Sequence, residues 1–98
     1  MDRPLGSHHP DYPDMVYPVN YGYISSFLAP DGEYQDAYLL GVDFPVNSYW
    51  GIVIGVIERS DDDEGKLVVA PKGISFSDEE ILDHVHFQEK YFKSYLIR

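Results

Sequence analysis

Runs of apolar residues, bounded by turn-forming residues, predict four strands in the first seventy residues. The predicted strands span residues 21–29, 37–42, 49–57 and 66–70. The run 49–57 is the strongest, since β-branched and aromatic residues fill it. It also contains Gly51 and Gly55, and glycine within a strand often marks a bend or a bulge. We expect these glycines to form corners of a small barrel.

One helix is predicted in the last quarter of the chain. Ser77 and Glu80 have the spacing of a capping box, in which each side chain bonds the backbone of the other residue. The apolar positions that follow have helical spacing and are expected to face the sheet: Ile81, Val85, Phe92 and Tyr95.

A single domain covering residues 1–98 is the expected organisation for this length. Residues 1–16 are predicted to be an extended arm, because four of the seven prolines precede residue 19. The predicted fold class is α+β, mainly β: a small OB-like five-stranded barrel with a C-terminal helix.

The charge and composition exclude several classes of protein. A net charge of −10 argues against a nucleic-acid partner, because phosphate backbones attract lysine and arginine. No apolar run approaches the ~20 residues of a membrane-spanning helix, and the first ten residues lack the apolar core of a signal peptide. The absence of cysteine excludes disulfides and thiolate metal sites. A cytoplasmic location is therefore expected.

Carboxylates concentrate in two predicted loops. Asp31, Glu33 and Asp36 lie at a turn before a strand, where oxygen ligands suit Mg²⁺ or, as a substitute, Mn²⁺. Asp61 and Glu64 lie in a second acidic loop and would add ligands if the two loops share a rim. The alternative for both loops is that their charges are merely solvated.

The motifs, taken in order, resemble the soluble inorganic pyrophosphatase family. That family carries a Tyr-Pro-x-Asn-Tyr-Gly-Tyr-Ile segment, an acidic turn and an apolar strand. A strand end with Gly-Val, a second acidic loop, Lys-Leu and a C-terminal helix follow. The matching segments here are 17–24, 31–36, 55–57, 61–64, 66–71 and 86–91.

The resemblance implies hydrolysis of pyrophosphate to two phosphates by a metal-activated water, with Mg²⁺ as cofactor. It also implies site roles. Metal ligands would be Asp31, Asp36, Asp61 and Glu64; the catalytic residues would be Glu33, as the water-activating base, and Tyr21. Phosphate would be bound by Tyr21, Tyr91, Lys66 and Arg3. Members of the family oligomerise, so a homo-oligomer is a candidate state.

Departures from the family pattern favour an alternative. Glu33 replaces an aspartate, Tyr34 a proline and Phe92 a lysine, and the family has a longer lead-in with more phosphate-binding cations. A carboxylate displaced by roughly 1 Å can cost on the order of a hundredfold in rate. The alternative function is therefore a non-catalytic module that binds metal or phosphate, or an interaction module of the same fold.

Overall fold

The computed structural model describes residues 3–28, 34–60 and 65–98, and these form five strands and one helix. The strands are β1 (Asn20–Leu28), β2 (Tyr34–Leu39), β3 (Ile52–Arg59), β4 (Gly65–Ala70) and β5 (Ser94–Ile97), and helix α1 spans Asp78–Glu89. No helix in this part of the chain is long and apolar enough to cross a membrane.

All five strands belong to one mixed sheet with the order β1-β2-β4-β3-β5. Strands β2 and β4 are parallel, and the other neighbouring pairs are antiparallel. The predicted OB-like barrel is not confirmed, because β1 and β5 lie at opposite edges and no ladder joins them within the described residues. Helix α1 covers one face of the sheet instead, and Ile81 and Val85 join its core. The apolar face of the sheet is thus buried although the sheet does not close into a barrel.

Two strands begin within one residue of their predicted positions, whereas two are shifted along the chain. Strand β2 begins and ends three residues earlier than predicted, and the backbone turns soon after its end at Gly41, whose φ is +81°. Leu40 remains fully buried beyond the strand, and its amide still bonds the Val69 carbonyl at 2.8 Å. Strand β3 begins three residues later than predicted, so Trp50 lies before it and is 99% exposed.

One of the two predicted glycine irregularities lies within a strand. The register of β3 against β4 shifts between Val53 and Gly55, as expected for a bulge. Gly51 instead precedes β3, at a point of close backbone approach. A Cβ there would lie 2.9 Å from the Ala70 carbonyl oxygen.

The start of α1 follows the prediction and its end does not. The Glu80 amide donates to Ser77 Oγ at 3.1 Å, and the Ser77 amide donates to Glu80 Oε1 at 2.9 Å, which confirms the capping box. The helix ends at Glu89, so the helical spacing drawn through Phe92 and Tyr95 was wrong. Residues Ser94–Ile97 pair with β3 instead, since edge pairing satisfies their backbone groups.

Residues 3–19 fold back over the sheet and contain no helix. Arg3 and Tyr21 exchange two backbone hydrogen bonds of 2.7 and 2.9 Å, and the His9 amide donates to the Met15 carbonyl at 2.9 Å. The fully buried Asn20 fastens this arm, because its Oδ1 accepts from the Leu5 amide at 2.9 Å. The arm is thereby held against the start of β1.

Candidate functional site

Two buried cationic side chains lie at one end of the core-facing side of the sheet. Alternate residues of β3 and β4 point inward, which buries Ile57 and Arg59 on β3 and Lys66 and Val68 on β4. Arg59 is the last residue of β3, and Lys66 lies opposite Ile57 in the β3–β4 ladder. The two-residue alternation of side chains that builds the apolar core thus also places both cations at one end of that core.

Lys66, Asp36 and Tyr21 form a cluster at this end of the sheet, which we call the Lys66 cluster. Lys66 Nζ lies 2.6 Å from Asp36 Oδ2; the lysine side chain is 4% exposed and the aspartate 34%. The ammonium also lies 5.8 Å from the centre of the Tyr21 ring, within cation–π range. Asp36 precedes Tyr38 by two residues on β2, so both residues belong to the same face of the sheet.

The groups of the Lys66 cluster have shifted pKa values. Burial raises the pKa of the Tyr21 phenol to about 12, with the Lys66 charge opposing and the Asp36 charge adding to the change. Burial lowers the pKa of Lys66, but Tyr21 and Asp36 outweigh that effect, and the net change is upward. At neutral pH the phenol is therefore protonated and the ammonium keeps its charge.

Arg59 is clamped by Glu89, the last residue of α1. Arg59 Nε donates to Glu89 Oε1 at 2.9 Å and Nη2 donates to Oε2 at 2.7 Å, with both side chains 5% exposed. The guanidinium carbon lies 3.6 Å from the centre of the Phe92 ring. Burial lowers the pKa of Arg59, but the hydrogen bonds and charge of Glu89 outweigh it, and the net pKa is raised. The guanidinium therefore stays charged and has a defined orientation.

The clamp belongs to a larger buried polar network, the Glu89 network. The Tyr38 hydroxyl donates to Glu89 Oε2 at 2.5 Å, and Ser94 Oγ donates to Oε1 at 2.6 Å. Gln88 Nε2 donates to the Tyr38 hydroxyl at 2.7 Å, and the Tyr17 hydroxyl donates to Gln88 Oε1 at 3.0 Å. These bonds join the end of α1, the start of β5 and the aromatic core.

A cavity of about 900 Å³ lies between the arm, the Lys66 cluster and the end of α1. Lys66, Arg59 and Lys90 all line it, which places three of the seven lysines and arginines of a chain with net charge −10 around one cavity. Tyr21 and Tyr91 line it too. Asp11 and Asp14 also line the cavity, so its lining carries charges of both signs.

The predicted site residues divide into three groups. Tyr21, Asp36 and Lys66 lie together, and Tyr91 lies on the same cavity. The backbone of Arg3 pairs with that of Tyr21, but Arg3 is not among the described residues that line the cavity. Outside the described residues lie Asp31, Glu33, Asp61 and Glu64.

Sequence reasoning missed Arg59, Lys90 and the Glu89 clamp. The alternation of β3 carried a signal for Arg59, because that residue has the same parity as the buried Ile57. No comparable signal identified Glu89, since its partner Arg59 lies thirty residues away along the chain.

Asp36 fits a hard cation, although the described residues do not form a complete metal site. Among them, no three histidine or carboxylate side chains lie close enough to share an ion. Magnesium is usually held by one or two carboxylates together with substrate phosphates, and Asp36 would supply one such carboxylate. The three other predicted metal ligands lie outside the described residues.

The fold is similar to that of inorganic pyrophosphatases. The protein from Ehrlichia chaffeensis superimposes with a TM-score of 0.62 at 25% identity, covering 82% of this chain and 60% of that one. The protein from Coxiella burnetii gives a TM-score of 0.60 at 24% identity, covering 85% and 62%. This chain thus spans about three fifths of the length of each. No family model matches the chain, and no curated protein matches its sequence.

Proposed function

We propose that the protein hydrolyses inorganic pyrophosphate to two phosphates in a Mg²⁺-dependent reaction. The observation that carries the proposal is the cavity lined by Lys66, Arg59 and Lys90 in a chain of net charge −10. Its similarity to solved inorganic pyrophosphatases supports a phosphoanhydride as the ligand that these cations attract.

In this proposal the Lys66 cluster binds the phosphate groups. Lys66 is held in place by Asp36, and its positive charge attracts phosphate oxygens. The protonated Tyr21 phenol interacts with both Lys66 and Asp36 and lines the same cavity. Positioned donors and cations contribute most of the catalysis of phosphoryl transfer, because they are already oriented when the charge of the transition state develops.

Asp36 would hold the metal, together with Asp31, Asp61 and Glu64, and Glu33 would act as the base. When bound, Mg²⁺ neutralises the phosphoanhydride and makes a bound water more acidic. A location in the cytoplasm and assembly into a homo-oligomer also stay predictions from the sequence.

The test is release of phosphate from pyrophosphate in the presence of Mg²⁺. Asp36→Asn should lower the rate by at least about a hundredfold, since it removes a carboxylate that holds Lys66 and, in this proposal, the metal. Tyr21→Phe should lower it less, because the ring remains and only the donor is lost. The matched control is Asp83→Asn, on the exposed surface of α1, which should retain the wild-type rate.

Two results would overturn the proposal. One is the absence of phosphate release by the wild type with Mg²⁺, Mn²⁺ or Co²⁺. The other is an Asp36→Asn rate equal to that of the Asp83→Asn control.

A second candidate function is binding of phosphate without turnover. Phe92 favours it, because this residue stacks under the Arg59 guanidinium where the family pattern has a lysine, so one ammonium is lost from the site. Calorimetry would distinguish the two functions: heat of pyrophosphate binding without release of phosphate supports the binding module.

A further inference from the structure

The cavity has two chemically different sides. On the sheet side lie the buried cations Lys66 and Arg59. On the arm side the lining includes Asp11 and Asp14, both exposed. A small polyanion such as pyrophosphate matches only the sheet side, because the arm carboxylates repel phosphate oxygens.

The arm side also presents an aromatic ring that contributes little to the core. Tyr12 lines the cavity and is 65% exposed, and its ring centre lies 5.2 Å from that of His9. His9 in turn stacks on the buried Tyr17, with ring centres 6.2 Å apart and planes inclined by 9°. The position of Tyr12 is therefore supported by a series of rings that leads into the core, while most of its own surface remains open to a ligand.

A second exposed ring lies just after helix α1. Tyr91 is 68% exposed and lines the same cavity, and Lys90 Nζ lies 5.3 Å from the centre of its ring. The cavity volume of about 900 Å³ is at the upper end of the range for sites that enclose ligands of drug size, roughly 300–1,000 Å³. Pyrophosphate alone would occupy a small part of it.

We infer that the site takes a phosphoanhydride joined to an aromatic group, with a nucleoside triphosphate as the substrate class. This inference rests on the proposed function, since it extends the substrate of the same site. The phosphates lie toward Lys66 and Arg59. The base stacks on Tyr12, and hydroxyl or amino donors of the nucleoside bond the carboxylates of Asp11 and Asp14.

The reaction needs water as its only co-reactant. A water oxygen attacks the terminal phosphorus and the bond from that phosphorus to the bridging oxygen breaks. The electron pair of that bond stays on the nucleoside diphosphate. Inorganic phosphate and one proton are the other products.

The experiment compares ATP with tripolyphosphate, which has the same phosphate chain and no base. With the full chain and equal Mg²⁺, we expect kcat/KM for ATP to exceed that for tripolyphosphate by about tenfold or more, the contribution of one base stacked on one ring. Tyr12→Ala should reduce this ratio to near one, whereas Tyr12→Phe, which keeps the ring, should preserve it. Tyr95→Ala removes an exposed tyrosine of β5 that is not among the described residues lining the cavity and should leave the ratio unchanged.

The outcomes separate this inference from the proposed function. Hydrolysis of pyrophosphate with an ATP to tripolyphosphate ratio near one overturns the inference and leaves the proposed function standing. Calorimetric binding of ATP over tripolyphosphate that is lost in Tyr12→Ala, with no phosphate released from ATP or from pyrophosphate, overturns both the proposed function and the role of ATP as a substrate, and leaves only a nucleotide-binding site. A ratio that falls equally in Tyr12→Ala and Tyr12→Phe overturns the stacking role.

Discussion

Replacement of Glu89 by glutamine tests the importance of the buried polar network at the end of α1. Both oxygens of Glu89 accept two hydrogen bonds each, from Arg59, Tyr38 and Ser94. Glutamine would turn an NH₂ group toward two of these donors and would leave the Arg59 charge buried without its counter-charge. Loss of one partner from a buried ion pair costs about 3–5 kcal/mol.

That cost is large against the stability of a domain of 98 residues. At roughly 0.05–0.15 kcal/mol per residue, the whole free energy of unfolding is about 5–15 kcal/mol. We therefore expect Glu89→Gln to lower the Tm by more than about 10 °C, since about 4–8 °C accompanies each kcal/mol at this size. Urea unfolding followed by circular dichroism measures the free energy. Tryptophan fluorescence is a poor probe, because Trp50 is almost fully exposed in the folded state.

The pH dependence of this difference provides a second check. Burial by itself raises the pKa of Glu89, but hydrogen bonds from Arg59, Ser94 and Tyr38 and the charge of Arg59 outweigh it, so the pKa lies below its ordinary 4.5. Because the pKa of Glu89 is lower in the folded state, its ionised carboxylate stabilises the protein above pH 4.5. This contribution is lost as the pH falls through the folded-state pKa. The difference between wild type and Glu89→Gln should therefore shrink below pH 4.5.

The control for this variant is Glu79→Gln on the exposed first turn of α1, where the loss of a favourable charge at the helix N-terminus costs about 0.3–1 kcal/mol. A Glu89→Gln variant as stable as this control, or a stability difference that does not change between pH 7 and pH 3, would refute the importance assigned to the network.

Three further predictions concern other parts of the molecule. Asn20→Ala should cost at least about 2 kcal/mol in urea unfolding, because the Leu5 and Val46 amides lose their shared acceptor; a cost below about 0.5 kcal/mol would contradict this. Gly51→Ala should cost about 1–3 kcal/mol, since its Cβ would lie 2.9 Å from a backbone oxygen that cannot rotate away, and an unchanged urea midpoint would disprove the close approach. The phenol of Tyr21 should ionise near pH 12, which the difference in ultraviolet titration between wild type and Tyr21→Phe would measure. The free energy of unfolding should fall between pH 10 and pH 12, because the phenol then loses its proton more readily in the unfolded chain than in the folded one. A titration midpoint near 10 would show that the ring is solvated.

Local patterns were sufficient to predict the start of the helix and the existence of four strands. Ser77 and Glu80 contact each other across a single turn, so the sequence contains both halves of the capping interaction. Strand β5 was missed because its four residues pair only with β3, some forty residues earlier in the chain, and residues just after a helix have no local signal for such pairing. The apolar spacing of Phe92 and Tyr95 fitted a helix by coincidence.

The residues of the candidate site likewise separate into those that sequence motifs identified and those that they did not. Tyr21, Asp36 and Lys66 were identified from ordered motifs, and the structure places them in contact. Arg59 and Glu89 were not identified, because neither has a motif and each depends on the other for its orientation.

By itself the sequence determined which residue types were available: an alternation that buries every second residue of β3 and β4, a capped helix, and few cations in an acidic chain. Only the tertiary structure decided that three of those cations surround one cavity, that α1 rather than barrel closure covers the sheet, and that Glu89 holds Arg59. The physical reason is the separation along the chain over which each effect acts. Periodicity and capping act over a few residues, whereas the charge of a cavity depends on side chains that meet only after strands and helix have packed.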